Sequence, residues 1–253
     1  KKDASGNLFA EITTTQATNT YEATGKRRLI NAATVNEFVK KDAGGNVLTA
    51  EGTRTEISET KTYDGSSTRI LSSSKVITSY AGGAKLGEER DVINNEYNGA
   101  THSLETAVTT HTYKDGAYTV TTDRKVYDSA LHKDRVLHTE KVIQDFTADG
   151  AVKKTQKDVT DNKYRPNGKF EQSKSQSAAY DGAIKQAIKD YDAKGNVIGN
   201  VVMQIAGDGS MTKQEDVSAY QYNKLISITS TITQTNVDGT GSVTTQTKSY
   251  DKQ

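Results

Sequence analysis

The 253-residue sequence contains no cysteine and only one proline. Without cysteine, the chain can form neither a disulfide framework nor a thiolate metal site. With one proline, long stretches carry no residue that would interrupt a strand. The sequence also lacks both an apolar run near the roughly 18 residues that a membrane-spanning helix needs and the apolar segment of a signal peptide. Because it begins at Lys1 rather than Met, we interpret it as a mature or excised segment of a longer array.

Apolar residues are scarce as well. They make up 33% of the sequence, and the mean hydropathy is −0.74. Even with the 20 glycines added, the apolar share stays below the roughly 45–50% of an ordinary globular domain. This composition argues against a deep core and favours a thin architecture in which each strand packs on its neighbours. The 13 tyrosines and the near-zero net charge are the opposite of a disordered composition.

The sequence also has no excess of positive or negative charge. The 33 basic and 32 acidic residues give a net charge of +1, and the two signs alternate along the chain. A protein that binds nucleic acid or an anionic membrane through its charge would show a basic patch. We therefore expect no nucleic-acid partner.

A turn sequence recurs along the chain. Its fullest form is KDYDAKGNV at residues 189–197, and related copies are KKDASGNL at 1–8 and KKDAGGNV at 40–47. Gly and Asn suit tight turns because they tolerate positive φ, and an Asp side chain can bond the backbone two residues further on. The candidate functional residues are therefore those of the three turns: Asp3, Gly6 and Asn7; Asp42, Gly45 and Asn46; and Tyr191, Asp192, Gly195 and Asn196.

Aromatic residues mark a regular interval between the turns. Tyr63, Tyr80, Tyr97 and Tyr113 stand 17, 17 and 16 positions apart. Shorter copies of the turn, such as Tyr63-Asp64-Gly65 and Tyr180-Asp181-Gly182, begin at tyrosines of this series and of its continuation. The intervals predict unbroken strands of roughly 9 to 14 residues, joined by tight turns that make neighbours antiparallel. The predicted fold is all-β: an extended, quasi-repetitive antiparallel meander of long strands with tight Asp/Gly/Asn turns and a thin core. We assign residues 1–253 to a single repetitive domain.

Two segments also fit a helix. Residues 27–41, RRLINAATVNEFVKK, place apolar residues at helical spacing, and residues 183–191, AIKQAIKDY, place Ile184 and Ile188 in the same way. We favour strands for both, because each lies between copies of the turn. Residues 196–206, NVIGNVVMQIA, are apolar on both faces and are predicted to be the best-covered strand.

The stretch DYDAKGNVIG at residues 190–199 resembles a YD-repeat (rearrangement-hot-spot type) unit. The hallmark of that family is Tyr-Asp-x-x-Gly followed by Arg or Asn and an apolar residue, which Tyr191, Asp192, Gly195, Asn196 and Val197 match. The turns at 1–8 and 40–47 lack the Tyr, and the remaining turns look shortened to Tyr-Asp-Gly or less. The resemblance implies long antiparallel sheets of the kind found in bacterial surface and toxin-shell proteins, and hence an extracellular or cell-surface location.

No stretch specifies a reaction. The sequence has no nucleophile-elbow or zincin motif, so we expect no enzyme and no cofactor. Asp190-x-Asp192-x-Lys194-Gly195 begins like a calcium loop, but Lys194 stands where a third oxygen ligand belongs. The four histidines predict no shared metal: His132 and His138 would lie about 20 Å apart along one strand, and His102 and His111 on opposite faces.

These features predict a structural protein. The leading hypothesis is a self-assembling subunit or segment of a bacterial extracellular filament, sheath or surface layer, joined through its edge strands into a homo-oligomer or polymer. One alternative is an adhesin stalk or carbohydrate-binding module that presents a tyrosine row to glycans or a host cell surface. The other is a segment of a YD-repeat toxin shell.

Overall fold

A computed structural model describes residues 9–23, 27–42, 44–46, 52–65, 67–99, 102–128, 135–179 and 181–250. Within these ranges the protein consists of strands and their connections, with no helix. In chain order the strands are β1 (Phe9–Tyr21), β2 (Leu29–Asp42), β3 (Thr53–Tyr63), β4 (Ile70–Ala81), β5 (Ala84–Tyr97), β6 (Leu104–Thr112), β7 (Tyr118–Tyr127), β8 (Val136–Phe146), β9 (Val152–Tyr164), β10 (Phe170–Ala178), β11 (Ile184–Tyr191), β12 (Val197–Ile205), β13 (Met211–Gln221), β14 (Lys224–Thr235) and β15 (Gly241–Ser249).

The strand order in the sheet is the order in the chain. The 15 described strands form one sheet in which each strand is hydrogen-bonded to the strands before and after it, and the pairs are antiparallel. The predicted all-β meander is therefore confirmed. Strand lengths run from 8 residues in β11 to 14 in β2, close to the lengths that the aromatic intervals indicated.

Both segments with helical spacing form strands. Most of residues 27–41 lie in β2, which pairs with β1 on one side and β3 on the other. Residues 184–191 form β11, which pairs with β10 and β12. Because a neighbour on each side bonds the backbone of these segments, tertiary pairing overrides their helical periodicity.

The sheet has no hydrophobic core in the part of the chain that is described. No hydrophobic residue there is buried, and Thr78, at 8% exposure, is the one buried polar residue. The predicted thin core is confirmed. Strand β12, predicted to be the best covered, is half-buried on both faces apart from the exposed Ile198 and Gln204.

The contacts divide the chain into two compact units. One comprises Lys1–Glu96, Ala107–Val120 and Asp145–Lys153, and the other comprises Tyr97–Thr106, Thr121–Gln144 and Lys154–Gln253. The first unit contains the whole of β1 to β4, and the second contains the whole of β10 to β15. The single repetitive domain over residues 1–253 stays a prediction.

Candidate functional site

The fullest copy of the predicted turn, Asp192–Asn196, joins β11 to β12. The N–H of Asp192 donates to the carbonyl of Asn196 at 2.9 Å, and the N–H of Gly195 donates to the carbonyl of Asp192 at 3.1 Å. Gly195 has a φ of 92°, in the left-handed region that favours glycine. This is the bonding of a three-residue hairpin loop that ends in a left-handed glycine.

The Asp192 carboxylate satisfies the remaining donors of the turn. Its Oδ1 accepts the N–H groups of Lys194 at 2.8 Å and Asn196 at 2.9 Å, and its Oδ2 accepts the Asn196 side-chain amide at 2.9 Å. Asp42 makes the same two bonds to Asn46, at 2.9 Å to the N–H and 3.0 Å to the side-chain amide. The structure therefore brings the candidate residues of these two copies together. The residues of the first copy, Asp3, Gly6 and Asn7, lie outside the described ranges.

The same five-residue frame occurs eight times, and in seven of these turns it joins two of the described strands. In each, the first residue donates to the fifth, and a glycine at the fourth position donates back to the first and has a φ between 82° and 92°. The eight glycines are Gly45, Gly116, Gly150, Gly168, Gly182, Gly195, Gly209 and Gly239. The turn around Asp181-Gly182 carries a shortened form of the sequence motif, yet the bonds between Ala179, Gly182 and Ala183 are those of the same frame.

What varies between the frames is the position of the acceptor side chain. In the Asp42 and Asp192 turns it is the first residue. In five others it is the third residue, whose side chain accepts the N–H of the fifth: Asp115, Asn167, Asp181, Asp208 and Asp238. A side-chain oxygen at either position can accept the N–H of the fifth residue, so two different sequence patterns form the same type of loop.

Hydrogen bonds also hold several of these carboxylates in the charged form. The Asn196 side chain, followed by the backbone N–H groups of the turn, lowers the pKa of Asp192 below its ordinary value of 3.8, and Asn46 does the same for Asp42. The pKa is lowered in the same way at three further turns, chiefly by Thr147 for Asp149, by Ser210 for Asp208 and by Thr240 for Asp238. The turns therefore bind their acids best when the acids are ionised.

Tyr191, the remaining candidate residue, marks a β-bulge. Asp190 lies opposite Gly199, but Tyr191 lies opposite Val197, so Ile198 is an extra residue on β12. The same shift, with one extra residue on the following strand, occurs in five other strand pairs, at Tyr21, Tyr63, Tyr80, Tyr164 and Tyr220. A bulge of this kind re-aims side chains and increases the local twist of the strands.

Sequence reasoning missed this repeat. A tyrosine stands at the last or next-to-last position of every odd-numbered strand from β1 to β13, namely Tyr21, Tyr63, Tyr97, Tyr127, Tyr164, Tyr191 and Tyr220. The structural repeat is thus a pair of successive strands, of which the first ends in tyrosine. The tyrosine positions carry this repeat in the sequence. Tyr80 and Tyr113, however, lie at the ends of even-numbered strands, so the interval between successive tyrosines looked like the length of one strand.

Three of these tyrosines tie their strand to the strand before it. The Tyr63 hydroxyl donates to the Leu29 carbonyl at 2.8 Å, and the Tyr127 hydroxyl donates to the Leu104 carbonyl at 3.0 Å. The Tyr164 hydroxyl donates to the carbonyl at position 136 at 3.2 Å. In every case the acceptor is the first residue of the preceding strand in the sheet, so the bond joins two neighbouring strands at the end away from the connection between them.

Aromatic stacking and cations reinforce this end of the strands. The Phe170 ring stacks between Tyr164 and Tyr191, with centroid separations of 4.7 and 5.6 Å. Arg28 lies 4.8 Å from the centre of the Tyr63 ring and donates to the carbonyls of Gly65, at 2.8 Å, and Ser67. A second cation bridges two turns, since the Lys169 ammonium donates to the Lys194 carbonyl at 2.7 Å.

The other candidate residues form no cation site in the described part of the chain. Asp190 accepts a hydrogen bond from Gln172 at 2.7 Å, whereas Asp192 is occupied by its turn, so the two carboxylates do not converge. His111 bonds Asp91 at 2.5 Å and His138 bonds Asp161 at 2.7 Å, each within its own cross-strand pair. Among the described residues no group of three or more His, Cys, Asp or Glu could hold a metal. His102 lies in the connection after β5, and His132 is outside the described ranges.

Comparison with known proteins adds no assignment: no protein-family model matches the chain, and no curated protein matches it. The described ranges contain no helix long and apolar enough to cross a membrane. The chemistry of the candidate residues is therefore that of hydrogen-bond closure. They satisfy backbone groups at strand ends and fix the register of each hairpin.

Acid should weaken the turns. Because the folded pKa of Asp192 lies below its ordinary value of 3.8, the stabilisation is complete above that value and is lost as the pH falls through the folded pKa. We expect the melting temperature to drop in that window, and Asp192→Asn to make the drop smaller because the amide does not titrate. Circular dichroism melts between about pH 7 and about pH 2.5 would measure this. Asn196→Ala removes the leading donor and should shrink the drop too. An unchanged pH profile in both variants would contradict the role of the carboxylate.

The tyrosine hydroxyls should differ in how much they contribute to the free energy of unfolding. Tyr127→Phe removes the side-chain donor to the Leu104 carbonyl and should lower the free energy of unfolding by about 1 kcal/mol. Tyr164→Phe should cost less, since the Asn162 side-chain amide still donates to the Val136 carbonyl at 2.9 Å. Urea titration would measure both, with Tyr222→Phe as the control because Tyr222 is 89% exposed. Equal losses in all three variants would refute the hydrogen-bonded tie.

Proposed function

We propose that the protein is structural: a subunit or segment of a bacterial extracellular filament, sheath or surface layer that extends by pairing of its edge strands. The observation that carries this proposal is the absence of any buried hydrophobic residue among those described. A sheet of this kind exposes two faces and two edges along its length, which is what an assembly built from repeating strands requires.

The chemistry of the repeat supports a structural role. The acids, amides and tyrosine hydroxyls of the turns are engaged in closing hairpins, as in Asp192, Asn196 and Tyr127. Groups that act on a substrate need to converge on a cleft, whereas these groups are spread over separate turns along the chain. Their common effect is to fix the strand register over many repeats.

The edges support assembly. In the described part of the chain, β1 and β15 are the first and last strands of the sheet order, and each pairs with one neighbour. An unpaired edge offers a row of N–H and C=O groups to another strand. We place the assembly outside the cell, in line with the resemblance of residues 190–199 to YD-repeat surface proteins.

A YD-repeat shell segment is the second candidate function. It is favoured by the tyrosine bulge, which recurs at Tyr21, Tyr63, Tyr80, Tyr164, Tyr191 and Tyr220. Further tyrosine-ended hairpins in the flanking sequence, followed by a separate domain, would favour it over a filament. The carbohydrate-binding alternative has less support, because a sugar stacks on an open ring face and Phe170 has Tyr164 and Tyr191 stacked against it.

Assembly is the test of the proposed function. The isolated chain should form oligomers whose size grows with protein concentration, because edge pairing is bimolecular. Sedimentation velocity over a concentration series, with negative-stain electron microscopy of the concentrated sample, would measure this. Regular filaments or sheets are expected. A folded chain that sediments as a monomer at every concentration, with no ordered particles on the grid, would overturn the proposal.

A further inference from the structure

We propose that the chain forms a covalent cross-link within itself: an amide bond between the Nζ atom of Lys189 and the side-chain Cγ atom of Asn200, with Asp216 as the catalytic carboxylate. The bond joins β11 to β12. This self-modification goes beyond the proposed function and does not depend on it, because the three residues belong to one chain and to one of its two compact units.

The three residues form one row across three neighbouring strands. Lys189 of β11 lies directly opposite Asn200 of β12, and Asn200 lies directly opposite Asp216 of β13. Directly opposite residues of an antiparallel pair place their side chains on the same face, with Cβ atoms about 5 Å apart. The pairing therefore sets a primary amine, a side-chain amide and a carboxylate side by side on one face of the sheet.

The carboxylate already bonds the part of the amide that has to leave. The side-chain nitrogen Nδ2 of Asn200 donates to Oδ2 of Asp216 at 3.0 Å. Burial raises the pKa of Asp216, but hydrogen bonds from Gln214, Ser230 and Asn200 outweigh it and lower the pKa below the ordinary value of 3.8. Asp216 is therefore ionised near neutral pH and can accept a proton.

The oxygen of the same amide has no donor in the described ranges. Asn200 Oδ1 is buried and accepts no hydrogen bond there, and a buried oxygen without a donor costs free energy. Lys189 is exposed, and its ammonium has no ion-pair partner among the described residues. When this ammonium donates to Oδ1, it brings Nζ next to Cγ, because Oδ1 is bonded to that carbon.

The reaction replaces one amine on the amide carbon by another, so it needs no oxidant and no second substrate. Lys189 loses a proton to solvent and attacks as the neutral amine, which forms the Nζ–Cγ bond. Asp216 then takes one proton from Nζ and delivers it to Nδ2. The Cγ–Nδ2 bond breaks, ammonia leaves, and the carboxylate returns to its ionised form.

A second row on the same strands provides a matched control. Lys185 of β11 lies opposite Gln204 of β12, and Gln204 lies opposite Thr212 of β13. This row also pairs an amine with a side-chain amide, but a threonine stands where the first row has its carboxylate. We therefore expect no bond between Lys185 and Gln204.

Mass spectrometry of the full chain tests the cross-link. After incubation at about pH 9, where more of the lysine is in the amine form, the wild-type chain should be lighter than its sequence mass by one ammonia. Trypsin does not cleave after a lysine whose Nζ is in an amide. Digestion should therefore release segments 186–194 and 195–213 as one branched species, joined through Lys189 and Asn200.

Variants identify the groups that react. Lys189→Arg should keep its full mass, because the guanidinium stays protonated, and Asn200→Ala should do the same. Asp216→Asn should slow the loss of ammonia about a hundredfold or more, since the proton transfer is lost. Lys185→Arg should cross-link like the wild-type chain. Circular dichroism of each variant checks that the sheet is folded, and the branched species from the wild-type chain identifies the bond without any variant.

The outcomes separate this inference from the proposed function. A wild-type chain that keeps its full sequence mass throughout the incubation overturns the inference. So does a loss of ammonia that persists in Lys189→Arg, because it then arises at another amide. A chain that cross-links but sediments as a monomer supports the inference and contradicts the proposed function, whereas a chain that assembles at its full mass does the reverse.

Discussion

Backbone hydrogen bonding between strands that are adjacent in the chain is the constraint on which this structure depends. In the ranges that are described, no hydrophobic residue is buried, and Thr78 is the one polar residue that is buried. A sheet without a core must leave few backbone groups unpaired, because contacts between its side chains across the strands stabilise it only slightly. The pairings of β12 with β13 and of β14 with β15, which run without a register shift, illustrate this requirement.

The turns and tyrosines solve the register problem that this constraint creates. A slip of one residue would exchange the two faces of a strand, and without a core there is little hydrophobic cost to prevent it. The left-handed glycine, such as Gly195, and the carboxylate of Asp192 fix where each strand reverses. The bulge at Tyr191 then sets how the next strand begins.

Much of the fold could be predicted from the sequence, because Asp, Gly and Asn act locally and their turns can be recognised without knowledge of the rest. Strand β2 was predicted against its helical spacing, since the turns beside it outweighed that periodicity. The common length of the turns could not be predicted. An acceptor at the first position, as in Asp192, and one at the third, as in Asp181, look unrelated until the backbone bonds are seen. The bulge and the two-strand repeat depend on pairing between strands, which single-strand periodicity does not reveal.

The agreement between chain order and sheet order has a mechanical consequence. A strand contacts the strands that immediately precede and follow it, so a force applied across the strands is carried by every ladder in series. Such a sheet yields first at its weakest ladder, and each ladder that separates releases a length of chain. The bonds from Tyr63 to Leu29 and from Tyr127 to Leu104 strengthen the ladders in which they lie. A sheet built this way lengthens in steps under load rather than failing in a single event.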